Sequence, residues 1–553
     1  MCGIIALFGR NATNYVNSVL HELKHRGPDS SVLYKNEACF TRIVFHRLAI
    51  MDTHSYSAAQ PFEDQDTVAV CNGEIYNFQE LIQKYNLAGE YKSHSDCEII
   101  LHLYKRLGFQ AMVNEFRGVF AIVLLDKKTQ TVYIARDRIG IRPLYYGFNV
   151  YTGVFAFASE PIALVHSGFV DIDQFSPGTI GTFQITTDGH CRQFETFQYW
   201  SLDMFKPTIF DFDSACKQVH DVLVDSVQIR MKADRPVGCL LSGGLDSSLI
   251  AALVNAECKK NNTVNSRLYT FSVGMPGSDD LRYARVVADF LGTIHHEVLL
   301  SEQDFLNAIP DVVRCLSTYD ITTIRASVGM WLVSKYIREH TDVKVIYSGE
   351  LADELFQGYM YFHRQPTPVA ADIESRRLVQ DVHYFDVLRA DRTTAAFGLE
   401  LREPFCDQRL VELVYNIDPI LRAPTMGKEK YLVRKAFESS ALIPHEVLWR
   451  PKCAFSDGVS SVRKYWYQMI QDYVTDRNAE SKVPLDGTSE ALFKLQLNML
   501  PCDITNKTVT PESWYYLRLF SRDYATCYNF TPYYWLPKWC GNIAEPSATV
   551  LTI

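Results

Sequence analysis

The strongest candidate nucleophile in the sequence is Cys2, which directly follows the initiator methionine. Removal of Met1 would place a thiol and a free α-amine on the same residue. An α-amine has an ordinary pKa of about 7.7–8.0, so it can accept the thiol proton near neutral pH. A cysteine at this position is more often incidental, and the residues around it must decide between the two interpretations.

Further polar residues supply the chemistry that hydrolysis of a side-chain amide requires. Arg47 can bind a carboxylate through two parallel hydrogen bonds. The side chain of Asn72 and the N–H of Gly73 can donate to an oxyanion. Glu74 and Asp96 can receive an ammonium group, so the set suits a zwitterionic substrate. Each also has a structural alternative: a surface ion pair for the arginine, a hairpin turn for Asn72-Gly73 and a helix N-cap for Asp96.

In this order the residues resemble the class II glutamine amidotransferase domain, which has an N-terminal-nucleophile fold. The resemblance covers about residues 1–200 and includes the segments 25–29 (HRGPD) and 136–145 (RDRIGIRPLY). It implies that Cys2, Asn72 and Gly73 are catalytic. The glutamine-binding residues that it implies are Arg47, Leu48, Ala49, Ile50, Met51, Asn72, Gly73, Glu74 and Asp96.

A second chemical motif follows a short apolar strand at 237–241. The string Ser242-Gly243-Gly244-Leu245-Asp246-Ser247-Ser248 leads directly into a predicted helix. A strand, a glycine-rich turn and a helix N-terminus form an anion site from backbone N–H groups and the helix dipole. Asp246 would repel a phosphate, so it suggests a divalent cation between them. A generic strand-turn-helix is the alternative, and the ending of a Walker A loop is absent.

The full string 242–248 resembles the pyrophosphate loop of ATP pyrophosphatases. These enzymes cleave ATP to AMP and pyrophosphate while they adenylate an acceptor. The resemblance implies that Leu240 and Val273 line the adenosine pocket. Ordinary strand core explains these two residue types almost equally well.

Three downstream segments, 318–327, 348–359 and 385–392, and the separate Lys452 carry charges that suit the formation of an acyl-adenylate. That reaction requires cations beside the triphosphate, carboxylates for a metal and an acid/base residue near the carbonyl. Lys452 and Arg325 can neutralise phosphate charge. Asp246 and Asp353 can share Mg²⁺, and Glu350 can help to take a proton from the attacking ammonium.

With these segments included, the chain resembles the glutamine-hydrolysing asparagine synthetase family over nearly its whole length. The segments 318–323, 388–396 and 534–539 look closest to eukaryotic-type members. The resemblance implies two sites joined by an internal ammonia tunnel. At the first site Cys2 attacks the glutamine side-chain amide, and the resulting thioester is hydrolysed to glutamate. At the second, ATP activates the aspartate side chain as β-aspartyl-AMP, which ammonia converts to asparagine.

The same resemblance implies the residues of the second site. The ATP-binding residues would be Leu240, Ser242, Gly243, Gly244, Asp246, Ser247, Ser248, Val273, Ser348, Gly349 and Lys452. The residues that bind aspartate and the intermediate would be Thr322, Thr323, Arg325, Glu350, Asp386 and Arg389. Glu350 would also be catalytic, and Asp246 and Asp353 would hold Mg²⁺. For Asp386 and Arg389, one helical turn apart, a helix-surface ion network is the alternative.

The pattern of elements changes after Trp200. Before it, apolar and aromatic segments predict strands and turns; after it, the strands 237–241, 268–273 and 343–347 alternate with helices, which is typical of a parallel sheet. The sequence therefore predicts two α/β domains. The first, 2–205, is an N-terminal-nucleophile αββα sandwich with glutaminase function, and the second, 206–553, is a parallel-sheet ATP-pyrophosphatase domain.

Composition limits the classes of function. The chain has 553 residues, 47% of them hydrophobic and 22% charged, with a net charge of −9, which excludes global disorder and argues against coating nucleic acid or an anionic membrane. No apolar run reaches the roughly 18 residues of a membrane span. The 14 cysteines form no CxxC motif. We expect a cytoplasmic protein that acts on small molecules, and apolar helix faces leave a homodimer contact open.

The segment 348–354 (SGELADE), a second signature of the synthetase part, departs from the family pattern Ser-Gly-Glu-Gly-Ser-Asp-Glu. Leu351 and Ala352 replace glycine and serine, Cys453 stands where glutamate often follows the lysine, and Cys406 where an apolar residue is common. A leucine at positive φ would be strained by about 1–2 kcal/mol. If the position passes close to AMP, its side chain would obstruct the nucleotide. We therefore expect Leu351→Gly to lower the KM for ATP.

Two other functions fit the sequence. One is a related amide-forming ligase, such as a β-lactam synthetase-like enzyme, that adenylates another carboxylate. The intact Cys2, Arg47 and Asp96 favour true glutamine use over this alternative. The other is a catalytically inactive homologue that serves as a binding or regulatory subunit, and Leu351 is the only feature that favours it.

Overall fold

Two antiparallel sheets form the core of the first part of the chain. The computed structural model describes residues 1–53, 55–260, 267–461, 464–480, 504–541 and 543–547. The strands of this part are β1 (Gly3–Phe8), β2 (Ser30–Asn36), β3 (Thr41–Arg47), β4 (Phe62–Glu63), β5 (Thr67–Ile75), β6 (Gly118–Asp126), β7 (Thr131–Arg136), β8 (Tyr145–Asn149), β9 (Val154–Ala158), β10 (Ile172–Gln174), β11 (Thr179–Ile185) and β12 (Cys191–Gln198). They pair in the orders β10-β8-β9-β1-β3-β2 and β12-β11-β7-β6-β5-β4.

The first-part helices are α1 (Val16–Val19), α2 (Phe78–Lys84), α3 (Ile99–Leu107), α4 (Phe109–Glu115) and α5 (Ile162–Val165). Successive side chains of a strand point to opposite faces, so β1 sends Ile4 and Phe8 into the core between the sheets and Leu7 to the outer face. Helices α1 and α5 cover that outer face, and α2 to α4 cover the other sheet. The resulting helix-sheet-sheet-helix order confirms the predicted αββα sandwich.

A parallel sheet organises the second part. Its strands are β13 (Val237–Leu240), β14 (Tyr269–Gly274), β15 (Ile294–Leu299), β16 (Val345–Tyr347) and β17 (Glu400–Arg402), and the order is β15-β14-β13-β16-β17. The helices are α6 (Phe212–Ile229), α7 (Leu245–Lys260), α8 (Asp279–Leu291), α9 (Glu302–Leu316), α10 (Ile321–His340), α11 (Ala352–Leu355), α12 (Pro368–Asp381), α13 (Asp386–Ala395), α14 (Gln408–Asn416), α15 (Pro419–Arg422), α16 (Tyr431–Glu438), α17 (His445–Leu448), α18 (Phe455–Gly458), α19 (Trp466–Glu480), α20 (Ile504–Lys507) and α21 (Pro511–Tyr524). The parallel sheet confirms the predicted α/β class.

The strand order fixes where a ligand cleft can form. From β13 the chain runs outward to β14 and β15, and then returns to β16 on the other side of β13. A crevice opens at the carboxyl ends of the strands where the order reverses. The loop 242–248 follows β13 and the segment 348–350 follows β16, so both predicted motifs lie at this reversal.

Buried ion pairs join the two parts. The guanidinium of Arg26 is fully buried between Glu160, 2.7 Å away in the first part, and Asp391, 2.8 Å away in the second. Arg117 pairs with Asp407 at 3.0 Å in the same way. Removing one partner of such a pair leaves a buried charge uncompensated, at a cost of about 3–5 kcal/mol. These pairs therefore strongly restrict how the parts can be positioned.

The boundary near residue 205 falls between the end of β12 at Gln198 and the start of α6 at Phe212, and its position stays a prediction. Among the described helices, none combines the length and the apolar character needed to cross a membrane.

Candidate active sites

The first site is built around Cys2, immediately before β1. Its Sγ lies 3.8 Å from the carbonyl oxygen of Leu48. Burial raises the pKa of the thiol to about 11, so the thiol is protonated at neutral pH. The α-amine in this chain belongs to Met1, and burial lowers its pKa to about 6. The nitrogen of Cys2 itself is in the peptide bond to Met1, so it can serve as the base only when Met1 is removed.

Asn72 and Gly73 lie in the middle of β5, beside β6. Asn72 is fully buried, and neither its Oδ1 nor its Nδ2 has a hydrogen-bond partner among the described residues. A buried amide without partners is costly and requires an explanation. A Cβ on Gly73 would lie 2.0 Å from the carbonyl oxygen of Val119, so only glycine allows the strands to approach this closely. Binding of an oxyanion would satisfy the Asn72 donor.

The acidic part of this site receives charges from both parts of the chain. Burial and the neighbouring Asp96 raise the pKa of Glu74 well above its usual value. Burial likewise raises the pKa of Asp96 to about 6, although one of its oxygens accepts the Ile75 N–H at 2.6 Å. Arg402 Nη2, from β17, lies 3.7 Å from Glu74, and Glu400 adds a further carboxylate. Three carboxyl groups thus share the positive charge of Arg402, and a bound cation would favour their ionised forms.

Arg47 supports the loop that follows β3. Its Nη2 donates to the carbonyl oxygens of Met51, at 3.1 Å, and Asp52, at 2.9 Å. The N–H of Ala49 donates to Asp29 Oδ2 at 2.8 Å. The predicted glutamine-binding segment 48–51 is therefore anchored at both ends, and Leu48 contacts Cys2 directly.

The second site is a cavity of about 280 Å³ at the reversal of strand order, and we call it the nucleotide cavity. Sixteen of the predicted second-site residues line it, namely Leu240, Ser242, Gly244, Asp246, Ser247, Val273, Thr322, Thr323, Arg325, Ser348, Gly349, Glu350, Asp353, Asp386, Arg389 and Lys452. Gly243 and Ser248 do not belong to this lining. Gly243, at φ +67°, packs against Tyr283, and Ser248 is fully buried in α7.

Hydrogen bonds within the loop after β13 hold its shape. Ser242 N–H donates to Ser247 Oγ at 3.2 Å, and the two hydroxyls lie 3.0 Å apart. Helix α7 begins at Leu245, so its free N–H groups point toward the loop. This preorganised turn at a helix N-terminus favours an anion.

A lysine that no sequence motif predicts lies between the two predicted metal ligands. Lys430 Nζ lies 2.6 Å from Asp246 and 2.7 Å from Asp353, and Lys452 Nζ lies 2.5 Å from Asp353. Burial opposes ionisation of Asp353, but the two lysines outweigh it and hold its pKa well below the usual range. No motif pointed to Lys430, because it lies 184 residues from Asp246 in sequence.

Arg325 lines the nucleotide cavity, but its charge is already balanced. Its guanidinium is buried and forms 2.5 Å ion pairs with both Glu512 and Glu545. The pairs attach α21 and the C-terminal segment to α10. Tyr533 and Trp535 of this segment also reach the cavity lining. The aromatic C-terminal residues thus contribute to the site wall as well as to packing.

Glu350, Asp386 and Arg389 form one cluster in the cavity wall. Arg389 Nη2 lies 2.8 Å from Glu350 and also pairs with Asp386. Arg389 is only 7% exposed, so the pair with Asp386 is not a solvated helix-surface network. Burial raises the pKa of Glu350 to about 7, against the opposing charge of Arg389. A carboxylate with this pKa can act as a base near neutral pH.

Leu351 adopts the left-handed backbone conformation that normally favours glycine. It adopts φ +76° and ψ −9°, and it immediately precedes α11. Only 1% of the residue is exposed, and it borders the nucleotide cavity while packing into the core. The left-handed conformation costs a non-glycine residue about 1–2 kcal/mol.

We expect Leu351→Gly to reduce the free energy of unfolding by about 2–4 kcal/mol. Removing a buried leucine side chain costs about 3–5 kcal/mol. The greater chain entropy of glycine in the unfolded state costs about 0.5–1 kcal/mol more. Together these costs exceed the backbone strain of about 1–2 kcal/mol that glycine would relieve. Urea denaturation would measure the change, with Leu355→Gly, a fully buried leucine in α11, as the control that relieves no strain. A Leu351→Gly variant more stable than its parent would contradict this. The KM for ATP, measured on the same variant, would test separately whether the Leu351 side chain obstructs the nucleotide, in which case the KM should fall.

Comparisons with known proteins cover both parts of the chain. Residues 218–374 and 366–497 match the family described as asparagine synthase, and residues 1–187 match the glutamine amidotransferase domain. The asparagine synthetase [glutamine-hydrolyzing] of Gallus gallus is 40% identical over 572 residues, covering 100% of this chain and 98% of that protein. The protein of the same name from Homo sapiens is 41% identical over 573 residues, covering 100% and 99%.

Proposed function

We propose, from the premise that this chain belongs to the glutamine-hydrolysing asparagine synthetase family, that it makes asparagine from aspartate, ATP and glutamine. The observation that carries the proposal is the nucleotide cavity, where the phosphate loop after β13 meets Glu350 after β16. The buried, unpartnered amide of Asn72 supports the glutamine-using half. The products are asparagine, AMP, pyrophosphate and glutamate.

In the first site, Cys2 Sγ attacks the side-chain carbonyl carbon of glutamine after its proton passes to the α-amine. This step requires removal of Met1, so that the amine belongs to Cys2. Asn72 and the Gly73 N–H donate to the oxyanion. Arg47 binds the substrate carboxylate, and Glu74 and Asp96 bind its ammonium group. Ammonia leaves, and water hydrolyses the thioester to glutamate.

In the second site, a side-chain carboxylate oxygen of aspartate attacks the α-phosphorus of ATP, and pyrophosphate leaves. The backbone of the loop 242–248 and Lys452 bind the phosphates. Ammonia then attacks the acyl carbon of β-aspartyl-AMP and AMP leaves. Glu350 accepts the proton that the attacking nitrogen loses. The ammonia reaches this site through the protein from Cys2.

Asp246 and Asp353 suit Mg²⁺ as part of this proposal. Asp246 Oδ1 is buried without a hydrogen-bond partner in the described chain. The described residues contain no group of three or more His, Cys, Asp and Glu side chains that would form an all-protein metal site. Mg²⁺ commonly takes one or two carboxylates together with substrate phosphates and waters. When bound, it would neutralise phosphate charge, with Asp246 Oδ1 as its free ligand, because both oxygens of Asp353 pair with lysines, Oδ1 with Lys430 and Oδ2 with Lys452.

A cytoplasmic location also belongs to the proposal. It is supported by the thirteen cysteines in the described ranges, all of which are free thiols. Reducing compartments keep thiols in this state.

The test of the proposed function is asparagine formation by the purified protein with ATP, Mg²⁺ and aspartate, with glutamine and ammonium compared as nitrogen donors. We expect asparagine and pyrophosphate in equal amounts with either donor. Pyrophosphate release with another carboxylate, but not with aspartate, would favour the related ligase. A folded protein that is inactive with both donors would favour the inactive homologue. Leu351 would then be the first residue to examine as the cause.

A further inference from the structure

Glu403 is a buried carboxylic acid that neither site uses. It directly follows β17, and only 1% of the residue is exposed. Neither Oε1 nor Oε2 has a hydrogen-bond partner among the described residues. Burying a polar group without a partner is costly, and a carboxylate costs more than a neutral group. Such a residue is a candidate binding group for a polar ligand.

One neighbour of Glu403 leads toward the first site. Arg142 Nη2 donates to the carbonyl oxygen of Leu401 at 2.8 Å, and Arg142 Nη1 lies 2.8 Å from the sulfur of Met1. Met1 directly precedes Cys2 and is absent once it has been removed, but Glu400 remains an electrostatic neighbour of both Cys2 and Arg142. The positive charge of Arg142 is the strongest influence that opposes the effect of burial on Glu403. Arg142 therefore lies between the thiol site and this carboxyl group.

A second set of contacts links the Glu403 backbone to the wall of the nucleotide cavity. The carbonyl oxygen of Glu403 accepts the N–H of Cys406 at 3.0 Å. Cys406 Sγ in turn lies 4.0 Å from the carbonyl oxygen of Glu350. Glu350 is also an electrostatic neighbour of Glu403. The carboxyl group itself makes none of these hydrogen bonds, but it has Arg142, beside the first site, and Glu350, the proposed base of the second site, as electrostatic neighbours.

The charges around Glu403 hold its two protonation states close in energy. Burial raises its pKa to about 8, Arg142 and Arg230 oppose that rise, and Asp391 and Glu350 add to it. Below that pH the group is mainly a neutral acid that can donate a proton. Above it, the group is mainly a carboxylate that can accept one.

We propose that Glu403 is a binding station for nitrogen in transit between the two sites, which it holds as ammonium against its carboxylate. This inference rests on the proposed function. Arriving ammonia takes the carboxyl proton: the O–H bond breaks, an N–H bond forms, and the ammonium pairs with the carboxylate. The reverse transfer releases neutral ammonia toward Glu350. The station retains a small base that would otherwise diffuse out of the protein.

The substitution Glu403→Gln tests this inference because it keeps the shape of the side chain and removes the titrating proton. We expect the ratio of asparagine formed to glutamate formed, with glutamine as donor, to fall in this variant. The ratio in the parent should vary with pH around 8, and the ratio in the variant should not. The matched control is Glu412→Gln, a half-buried carboxyl group on α14 beside Arg138, for which we expect the parent ratio.

Direct binding separates this inference from the proposed function. Thermal unfolding of the full chain would be followed in ammonium chloride and in sodium chloride at equal ionic strength. We expect ammonium to raise the Tm of the parent and of Glu412→Gln, and the apparent affinity to weaken by about tenfold or more in Glu403→Gln. An unchanged asparagine-to-glutamate ratio, or the same ammonium response in Glu403→Gln as in the parent, would overturn the station. If the parent makes no asparagine, the proposed function fails, and the ammonium response still tests Glu403.

Discussion

Replacing Cys2 by alanine is expected to abolish asparagine synthesis from glutamine and to leave synthesis from ammonium close to that of the parent. The thiol is the only nucleophile in the proposed first step, and its loss should lower the glutamine-dependent rate by about 10³-fold or more. The second site needs only ammonia, so it should not respond. Asparagine formed per minute with each donor measures both effects.

Cys191→Ala provides the matched control for this variant. Cys191 is also partly buried in the first part of the chain, and its Sγ also contacts a backbone carbonyl, that of Phe8 at 3.5 Å. We expect it to retain both activities. Loss of both activities in a folded Cys2→Ala protein would contradict the assignment of two separate sites.

Glu350→Gln should affect the two activities in the opposite way to Cys2→Ala, because it should reduce asparagine synthesis and spare glutamine hydrolysis. It removes the group that accepts a proton from the attacking nitrogen, so synthesis should fall by about 10²–10⁴-fold with either donor. Glutamate release from glutamine should continue, because the thiol site lies in the other part of the chain. Parallel assays of asparagine and glutamate would measure the two activities. The loss of glutamate release alone would contradict the proposed role of Glu350.

The pH dependence of ammonium-driven synthesis follows from the same group. Burial raises the pKa of Glu350 to about 7, so the base form predominates above that pH and is lost as the pH falls below it. The value of kcat/KM for aspartate should therefore rise through about pH 7 in the parent. Glu350→Gln should lack this limb of the profile. A parent profile that is flat between pH 6 and 8 would be evidence against an essential base with this pKa.

The sequence was most informative where the required groups are contiguous. The loop 242–248 carries its glycines, hydroxyls and carboxylate within seven residues, and the strand and helix patterns around it predict a parallel sheet. The reversal of strand order then brings the segment 348–350 beside it. The αββα order could also be predicted, because the motifs near Cys2, Asn72 and Asp96 resemble one known domain.

Sequence patterns could not predict contacts between segments that are far apart in the chain. Lys430 reaches Asp246 only through the packing of α16, and no local spacing marks it. Arg325 has the residue type of a phosphate ligand, yet Glu512 and Glu545 balance its charge from segments far along the chain. The unpartnered state of Glu403 likewise depends on which groups surround it after folding.

Strand β17 contacts both sites through a single residue. Arg402 Nη2 faces Glu74 at 3.7 Å, while the carbonyl oxygen of Arg402 accepts the N–H of Ser348, at the edge of the nucleotide cavity, at 3.1 Å. A substrate ammonium group that pairs with Glu74 would weaken the electrostatic attraction between Glu74 and Arg402. Thermodynamic linkage makes any resulting coupling reciprocal: if glutamine changes the affinity for the nucleotide by some factor, the nucleotide changes the affinity for glutamine by the same factor.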